Sequence, residues 1–257
     1  MNKSTDTIRK LVRIKYDYQD MRIRTSNRLA LKKDDSAQNR EEPDLPTEDL
    51  VELVDIKDLT KDLETKIDRS IAKCLKGNDI YEGFLKGVKG VGPVMAGVLL
   101  SEIDLEKATT VSKIWQYAGL NPCMVRGKKK VGDKVEITDT MVRGDRKTAG
   151  FMIPYNQFLK TKLMGVLADS FIKSRSPYTE HYYNMKHRLE QSCKEYKDGR
   201  KWSEESKMHR DMAAKRYMIK MFLADYYACG RAILGLEVRP PYQEEYLGHK
   251  HNGGIAE

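Results

Sequence analysis

The chain has 257 residues, enough for one large domain or two small ones, because a domain usually holds roughly 100 to 200 residues. Charged residues make up 33% of it and the formal net charge is +9, which favours polyanionic partners over basic ones. No apolar run approaches the roughly 20 residues that cross a bilayer, and the polar start of the chain lacks a signal-peptide core. We therefore predict a cytoplasmic protein with no membrane partner and with nucleic acid as its expected neighbour.

Cysteine and histidine spacing gives no metal-ligand pattern. The four cysteines, from Cys74 to Cys229, are far apart and never form the close pairs of a zinc site or a redox pair. Three of the five histidines, His181, His187 and His209, would have to converge in space to bind a metal. We therefore expect no metal site and reduced cysteines.

The first quarter of the chain has segregated charge. Residues 1–40 carry 11 Lys and Arg against 5 Asp and Glu, whereas residues 41–68 carry 3 against 11, so the two stretches attract each other. Apolar residues in both follow the alternating three- and four-residue spacing of one helix face. They are Leu11, Ile14, Tyr18 and Met21 in a first helix that starts after Ser4 or Thr5, and Leu53, Ile56, Leu63 and Ile67 in a second that runs from about Thr47 to a stop at Gly77.

Prolines separate these two helices. Pro43 and Pro46 lack a backbone donor and push the preceding residue out of the helical region, so a continuous helix is forbidden. Residues 1–77 are therefore predicted to form a helical hairpin or coiled coil. Two interpretations stay open: simple packing of two amphipathic helices, and a dimerisation arm that makes the protein a homo-oligomer.

Residues 78–238 are predicted to form a second, helical domain, so that the fold class of the protein is mainly α. Three short helices are expected between Asn78 and Leu120, the last one ending at Gly119. Glycines then punctuate short alternating runs over residues 121–155, which is typical of strands and turns and predicts a small β-ribbon insertion. The segment is also rich in basic residues, so we predict a basic β/loop insertion within the helical domain.

Helix is expected to resume at Gln157 and to continue to about Leu234. Interruptions are predicted at Ser176 and Pro177 and again near residues 197–199, where proline and glycine disfavour helix. Residues 239–257 are predicted to form an irregular tail.

The most specific feature of the sequence is a glycine-rich turn between apolar segments, within residues 85–103. Gly90 and Gly92 flank Val91, permitting positive backbone angles and a close main-chain approach, and Pro93 suits the first turn of the following helix. This pattern is typical of a helix-hairpin-helix, whose free amides at the positive end of a helix fit a phosphate. The alternative is a glycine-rich turn between two core helices. The predicted phosphate contacts are Lys86, Lys89, Gly90, Val91 and Gly92.

The insertion is a second candidate site because its residues 126–147 are strongly basic. A ribbon or loop with such charges could follow a nucleic-acid backbone, although a solvated loop is the alternative. The predicted contacts are Arg126, Lys128, Lys129, Lys130, Arg143, Arg146 and Lys147, beside Lys134 and the four acids Asp133, Glu136, Asp139 and Asp145. Trp115, Tyr117 and Tyr155 are candidate stacking residues, with core packing as the alternative.

Four segments together resemble a known family. They are the hairpin, the stretch from Trp115 to Pro122 with its Tyr-Ala-Gly-Leu-x-Pro pattern, residues 158–163 and residues 213–218. Over residues 80–235 the chain resembles the C-terminal domain, or transposase-20 domain, of the insertion-sequence one-ten family of transposases. The resemblance implies DNA recombination by proteins of mobile elements, guided by a structured RNA in characterised members. Such members also carry an N-terminal RNase H-like domain with four metal-binding carboxylates, which this chain is predicted to lack.

The family's serine nucleophile has no match here. It belongs to a Ser-Gly pair shortly after the Gly-Leu-x-Pro stretch, and Arg126 precedes Gly127 at that place. The resemblance therefore implies a transposase-derived protein that binds DNA, or structured RNA, without catalysis of its own and without a cofactor. Two alternatives stay open. One is an active recombinase with displaced or partner-supplied groups, in which Asp133, Glu136, Asp139 and Asp145 would bind Mg²⁺; the other is an interaction scaffold held by the N-terminal helices.

Overall fold

The computed structural model describes residues 3–29, 31 and 32, 40 and 41, 47–197 and 199–240. It is mainly helical with a small antiparallel ribbon, as the sequence predicts. The chain divides into two compact units, Met1–Lys76 and Gly77–Glu257. The proline segment between the first two helices and the tail beyond residue 240 lie outside the described residues, so the turn and the irregular tail stay predictions.

The first unit contains two long helices, α1 (Lys3–Leu29) and α2 (Thr47–Leu75), with the short strands β1 (Leu31–Lys32) and β2 (Arg40–Glu41) paired antiparallel. Basic residues of α1 meet acidic residues of α2, as the segregated charge predicts. The Lys15 Nζ lies 3.3 Å from a Glu64 carboxylate oxygen and 3.2 Å from one of Asp68, and the Arg22 Nε lies 2.6 Å from Glu64. Gly77 has a φ of +78° after the end of α2, where a left-handed glycine commonly ends a helix.

The buried residues of these helices are not the predicted ones. Ile8, Val12 and Tyr16 of α1 are buried, whereas Ile14 and Met21 are 43% and 48% exposed. In α2 the buried residues include Thr60, Glu64, Ile71 and Leu75, and Ile56 is exposed. A helix begins at Lys3, so the predicted caps Ser4 and Thr5 lie inside it. Four other predicted residues, Leu11, Tyr18, Leu63 and Ile67, are half-buried, and the side chain of Leu53 lies outside the described residues. The predicted faces were therefore only partly right, because a three- and four-residue spacing fits more than one face of a helix with many apolar residues.

The second unit begins with short helices, as predicted. They are α3 (Asp79–Gly83), capped by the Asn78 side chain, a 3₁₀ turn at Leu85–Gly87, α4 (Pro93–Glu102) and α5 (Val111–Tyr117). The chain leaves α5 through Gly119, whose φ is +66°. The predicted stop at this glycine is therefore confirmed.

The predicted ribbon consists of β3 (Met124–Val131) and β4 (Lys134–Arg143), paired antiparallel from Met124 opposite Arg143 to Val131 opposite Lys134. Gly132 has a φ of +60° in the two-residue turn between them, the position at which tight hairpins favour glycine. The register shifts by two residues beside Gly127. Since side chains alternate with a period of two, each strand keeps the same residues on the same face across this bulge.

Helices dominate the rest of the chain. These are α6 (Gln157–Lys162), a π-helical turn at Leu163–Leu167, α7 (Ala168–Ser174), α8 (Thr179–Glu190) and α9 (Lys207–Ile233). The predicted break at Ser176 and Pro177 separates α7 from α8. The second break is wider than predicted, since strands β5 (Glu195–Lys197) and β6 (Arg200–Lys201) and a 3₁₀ turn at Trp202–Glu204 lie between α8 and α9.

An aromatic cluster around α9 forms the core of the second unit. Phe222 packs edge-on against Phe171 and Tyr178, with ring centroids 5.2 and 5.4 Å apart, and stacks at longer range on Phe84 and Tyr226. Such ring pairs stabilise a core by about 0.5–1.5 kcal/mol each beyond their buried area. Phe84 precedes the glycine-rich turn and Phe171 belongs to α7. This aromatic cluster therefore holds the turn against α7 and α9. Of the helices described, none has the length and apolar content needed to cross a membrane.

Candidate nucleic-acid interface

The glycine-rich turn has a different backbone from the one predicted. Gly90 has a φ of +98°, a conformation that favours glycine, whereas Gly92 is extended with φ −83° and ψ 170°. The Val91 amide donates to the Val88 carbonyl at 3.0 Å and is therefore occupied. Of the three amides predicted to hold phosphate, the Val91 amide is excluded by this turn.

Gly90 is half-buried, because the turn packs on α7. A β-carbon built on Gly90 would lie 2.8 Å from both the Phe171 ring and the Ser174 hydroxyl. The Ser170 hydroxyl donates to the Gly90 carbonyl at 2.7 Å. Sequence reasoning missed this contact, since α7 follows the turn by about 80 residues and no local pattern links them. Ser170 and Ser174 also line an open groove, together with Gly165, Val166, Asp169 and Lys173.

The start of α4 remains open. Gly92 is exposed, no side chain caps the helix, and the first amide that bonds within it is that of Ala96, which donates to the Gly92 carbonyl at 2.9 Å. The amide of Val94 therefore precedes the first bonded turn. Helix starts of this kind attract anions through unpaired amides and the helix dipole.

The two lysines predicted beside the turn differ in availability. The Lys86 Nζ lies 2.6 Å from a carboxylate oxygen of Glu82, and this ion pair raises the pKa of Lys86. Its charge is thus partly neutralised locally. Lys89 is exposed and stands one residue before Gly90, so it can approach a ligand at the start of α4.

Alternation divides the basic residues of the ribbon between two faces. We call one of them the ribbon outer face. Its residues on β4 stand opposite those on β3 or extend the same row. The face carries Arg126, Lys128 and Lys130 of β3 and Val135, Ile137, Met141 and Arg143 of β4. Its apolar members Ile137, Met141 and Val135 are 64%, 50% and 52% exposed. This face therefore combines cations with exposed apolar side chains.

Lys129 lies on the other face of the ribbon, where it pairs with Glu136 of β4. Its Nζ stands 4.7 Å from the centroid of the Phe151 ring, and Phe151 in turn covers Gly127, where a β-carbon would approach the ring to 2.5 Å. Val142 is buried on the same face. The structure thus separates Lys129 from Lys128 and Lys130, which the sequence analysis had grouped together.

The loop after β4 brings further cations to the base of the ribbon. Arg143 Nε and Nη2 each donate to a carboxylate oxygen of Asp145 at 2.9 Å, and Asp145 is 3% exposed. Arg146 and Lys147 follow as exposed residues. Lys160 of α6 donates to the Asp145 carbonyl at 2.5 Å. Sequence reasoning did not select Lys160, because nothing local in α6 indicates that its side chain reaches this loop.

The candidate stacking residues are already engaged. Trp115 is buried, its Nε1 donates to the Lys220 carbonyl at 3.2 Å, and the Lys220 Nζ lies 4.1 Å from its ring centroid. The Tyr155 ring packs on Gly119 with the Lys160 Nζ 4.4 Å from its centroid. Tyr117 is 44% exposed, and its hydroxyl accepts from the Asn156 amide at 2.9 Å. Core packing is therefore the better interpretation for Trp115 and Tyr155.

The four ribbon acids do not form the metal site that the recombinase alternative requires. Asp133 lies in the turn at the ribbon tip, Glu136 and Asp139 lie along β4, and Asp145 is paired with Arg143 at the base. In the part of the chain that the structure describes, no group of three or more His, Cys, Asp or Glu side chains could hold a metal ion. An extended ribbon separates these carboxylates by its length, which excludes their joint use as ligands.

Comparison with known families now adds to this geometry. Residues 83–147 match the family model described as "Transposase IS116/IS110/IS902 family". The resemblance read from the sequence is thus confirmed over the glycine-rich turn, α5 and the ribbon, and it is consistent with the C-terminal domain of such a transposase. No curated protein and no solved structure was found to match the chain. The match suggests a transposase-related function and interaction with DNA.

Proposed function

We propose that this is a transposase-derived protein that binds the phosphate backbone of nucleic acid. On its own it does not cleave the nucleic acid. The phosphates would contact the open start of α4 and the ribbon outer face. The observation that carries the proposal is Gly92: it is exposed, and a β-carbon built on it meets nothing within 4 Å. A phosphate oxygen can therefore approach the main chain at this helix start without a side chain in its way.

The ribbon outer face supports the same function. Arg126, Lys128 and Lys130 point to one side at alternating positions of β3, and an extended strand repeats every two residues over roughly 6.6 Å. This repeat corresponds to about two phosphate steps of one DNA strand, which are roughly 3.4 Å each along the duplex axis. Binding of this kind reads the backbone and not the base sequence.

The test introduces a negative charge where phosphate is proposed to bind. Gly92→Glu places a carboxylate in open space at the start of α4, and its backbone angles are ones that any residue adopts. We expect a loss of affinity for a DNA duplex of about tenfold or more at low salt, since a carboxylate replaces an attractive site by a repulsive one. Duplex DNA, single-stranded DNA and structured RNA are compared in the same assay.

Gly87→Glu is the matched control. Gly87 is also exposed with open space beyond its Cα, but its amide donates to the Phe84 carbonyl and it lies in the 3₁₀ turn before the hairpin. A much smaller loss is expected there. Equal losses from the two variants, or salt-independent binding of the wild type, would contradict a phosphate site at α4.

Lack of catalysis is tested separately. The Ser170 hydroxyl donates to the Gly90 carbonyl and the Ser174 hydroxyl to the Phe171 carbonyl, so neither is poised as an activated nucleophile beside a base. Incubation with supercoiled DNA and magnesium is expected to leave the DNA intact. Nicked DNA, or protein attached covalently to it, would favour the recombinase alternative.

We also propose that the N-terminal helices mediate self-association. Ile14 and Met21 are exposed at heptad spacing on α1, and Val54 and Leu59 of α2 are 39% and 60% exposed, an apolar content that suits a helix–helix contact. A second copy of the chain is the proposed partner. Ile14→Glu with Met21→Glu should shift a dimer to monomer in sedimentation, whereas Asp20→Lys, an exposed change on the same helix, should not. A monomeric wild type would refute this proposal.

A further inference from the structure

Five cations converge at the base of the ribbon, and we call them the ribbon-base cluster: Arg143, Arg146, Lys160, Arg216 and Lys220. They come from β4, the loop after it, α6 and α9. Lys160 is bonded to the Asp145 carbonyl, and the charges of Arg143, Arg146 and Arg216 act on it. Arg216 and Lys220 are four residues apart in α9, so they lie on one face of that helix.

The cations of this cluster outnumber the carboxylate that acts on them. Asp145 is the carboxylate that acts on Lys160, and its two oxygens already accept from Arg143. Lys220 is acted on by Arg216, a like charge, and by the Cys123 thiol. An excess of like charges held together creates a strong local field that attracts anions.

Burial makes the imbalance sharper. The Arg216 Nε is buried and, among the described residues, has no hydrogen-bond partner. Burial and the neighbouring Arg216 lower the pKa of Lys220 to about 8, and burial is also the main cause of a lowered pKa at Lys160. A guanidinium left with an unused donor normally bonds a carboxylate or phosphate.

Aromatic rings stabilise two lysines of the cluster. Lys220 lies over the Trp115 ring and Lys160 over the Tyr155 ring, at 4.1 and 4.4 Å from the ring centroids. The negative faces of these rings attract the two ammonium groups, so the rings help to fix the position of both charges.

Position identifies the kind of anion. Arg143 is the last residue of the ribbon outer face and also a member of the cluster. A chain of phosphates that follows Lys130, Lys128 and Arg126 down the ribbon therefore meets the cluster at its base. We propose that the ribbon-base cluster binds a phosphate group of a nucleic-acid backbone that runs along the ribbon outer face. The identity of this ligand, though not the anion site itself, rests on the proposed function.

The experiment removes two lysines of the cluster and measures salt dependence. Lys160→Gln and Lys220→Gln are made singly and together, with Lys162→Gln as matched control, because Lys162 is on the same helix two residues away and its Nζ lies over the Phe158 ring. For the double variant we expect the slope of log affinity for a DNA duplex against log salt to fall by about 0.9, the value for one lost phosphate contact. The affinity should fall on the order of tenfold per contact at about 0.1 M salt.

Inorganic phosphate separates the site from the proposed function. Phosphate should raise the melting temperature of the wild type and of Lys162→Gln clearly more than that of the double variant, which keeps the proposed site at the start of α4. Circular dichroism first establishes that each variant is folded.

The outcomes are distinct. If the double variant binds DNA with the wild-type slope while Gly92→Glu does not bind, the cluster proposal is overturned and the proposed function stands. If the wild type binds no nucleic acid but phosphate stabilises it through these lysines, the anion site stands and the proposed function fails. No response to phosphate and no DNA binding would overturn both.

Discussion

Gly90 lies directly against Phe171, so closely that a β-carbon on the glycine would come within 2.8 Å of the ring Cδ1. The contact joins the turn before α4 to α7, and Ser170 strengthens it by donating to the Gly90 carbonyl. Gly90 is therefore a packing residue with a positive φ, and the open start of α4 lies two residues further on, at Gly92. One glycine is thus packed and the other open, although the two look equivalent in the sequence.

We predict that Gly90→Ala destabilises the protein by about 2–4 kcal/mol, because alanine is strained at positive φ and its methyl overlaps Phe171 and Ser174. Gly92→Ala should change the free energy of unfolding by less than about 1 kcal/mol, since its backbone is extended and its surroundings are open. Urea unfolding of both variants measures the difference. Equal stabilities would show that the turn does not pack on α7 in this way.

Lys128 and Lys129 give a matched pair on the ribbon. Both are exposed neighbours in β3, but Lys128 belongs to the ribbon outer face and Lys129 stands over Phe151 on the other. We predict that Lys128→Glu weakens duplex binding on the order of tenfold or more at low salt, while Lys129→Glu weakens it much less. Fluorescence anisotropy measures both affinities. A uniform loss would mean that the ribbon acts as a general positive charge without a binding face.

Arg143 should stabilise the folded protein by pairing with Asp145. Arg143→Ala leaves Asp145, which is 3% exposed, without its bidentate partner, and we expect a loss of about 2–3 kcal/mol in the free energy of unfolding. Arg143→Met combined with Asp145→Asn removes both charges and should cost less than the single change. Thermal or urea unfolding of the three proteins forms the test. A double variant less stable than Arg143→Ala would contradict the prediction.

Lys220 should make stability depend on pH. Its pKa is lowered to about 8 in the folded protein, against about 10.4 in an unfolded chain. Between these values the unfolded chain holds a proton that the folded one has lost, so the free energy of unfolding rises with pH, and the full penalty is present below about pH 8. Lys220→Met removes this contribution. Its stability advantage over wild type, up to about 3 kcal/mol near neutral pH, should shrink as pH rises to about 10.

Ligand binding should show the opposite trend. An anion binds the protonated form of Lys220, so duplex affinity should fall as pH rises through about 8. Lys220→Arg keeps its charge throughout and should flatten the profile. The groups whose charges act on Lys220 are Arg216 and Cys123, and the profiles are compared in a Cys123→Ser background. Identical profiles for lysine and arginine would exclude Lys220 from binding.

The helical elements were predictable because their signals are local. Helix α6 begins at Gln157, as expected, where the Asn156 side-chain oxygen accepts from the Leu159 amide, and Gly119 ends the stretch after α5 with a positive φ. The ribbon was predictable from its alternation and from Gly132 at its turn. The buried face of α1 was not, because Ile8, Val12 and Tyr16 differ from their apolar neighbours only in what packs against them.

The candidate binding surface was predictable in its residue types and not in its grouping. Lys128, Lys129 and Lys130 are equivalent as a charge run, yet pairing with β4 places Lys129 on the far side. Lys160 and Lys220 carry no motif. Lys160 reaches the loop after β4 from α6, and the position of Lys220 depends on the packing of α9 against Trp115 of α5. Such contacts join residues distant in sequence, which local patterns do not encode.

The sequence by itself determined the mainly helical class, the glycine-rich turn, the ribbon and the likeness to transposases over residues 83–147, because each depends on backbone preferences or motifs within a short stretch. Tertiary structure alone decided that Gly90 is packed, that Val91 bonds within its own turn, and that cations from four segments meet at the ribbon base. These relations depend on how separate helices pack, and packing is set by the joint fit of side chains remote from one another along the chain.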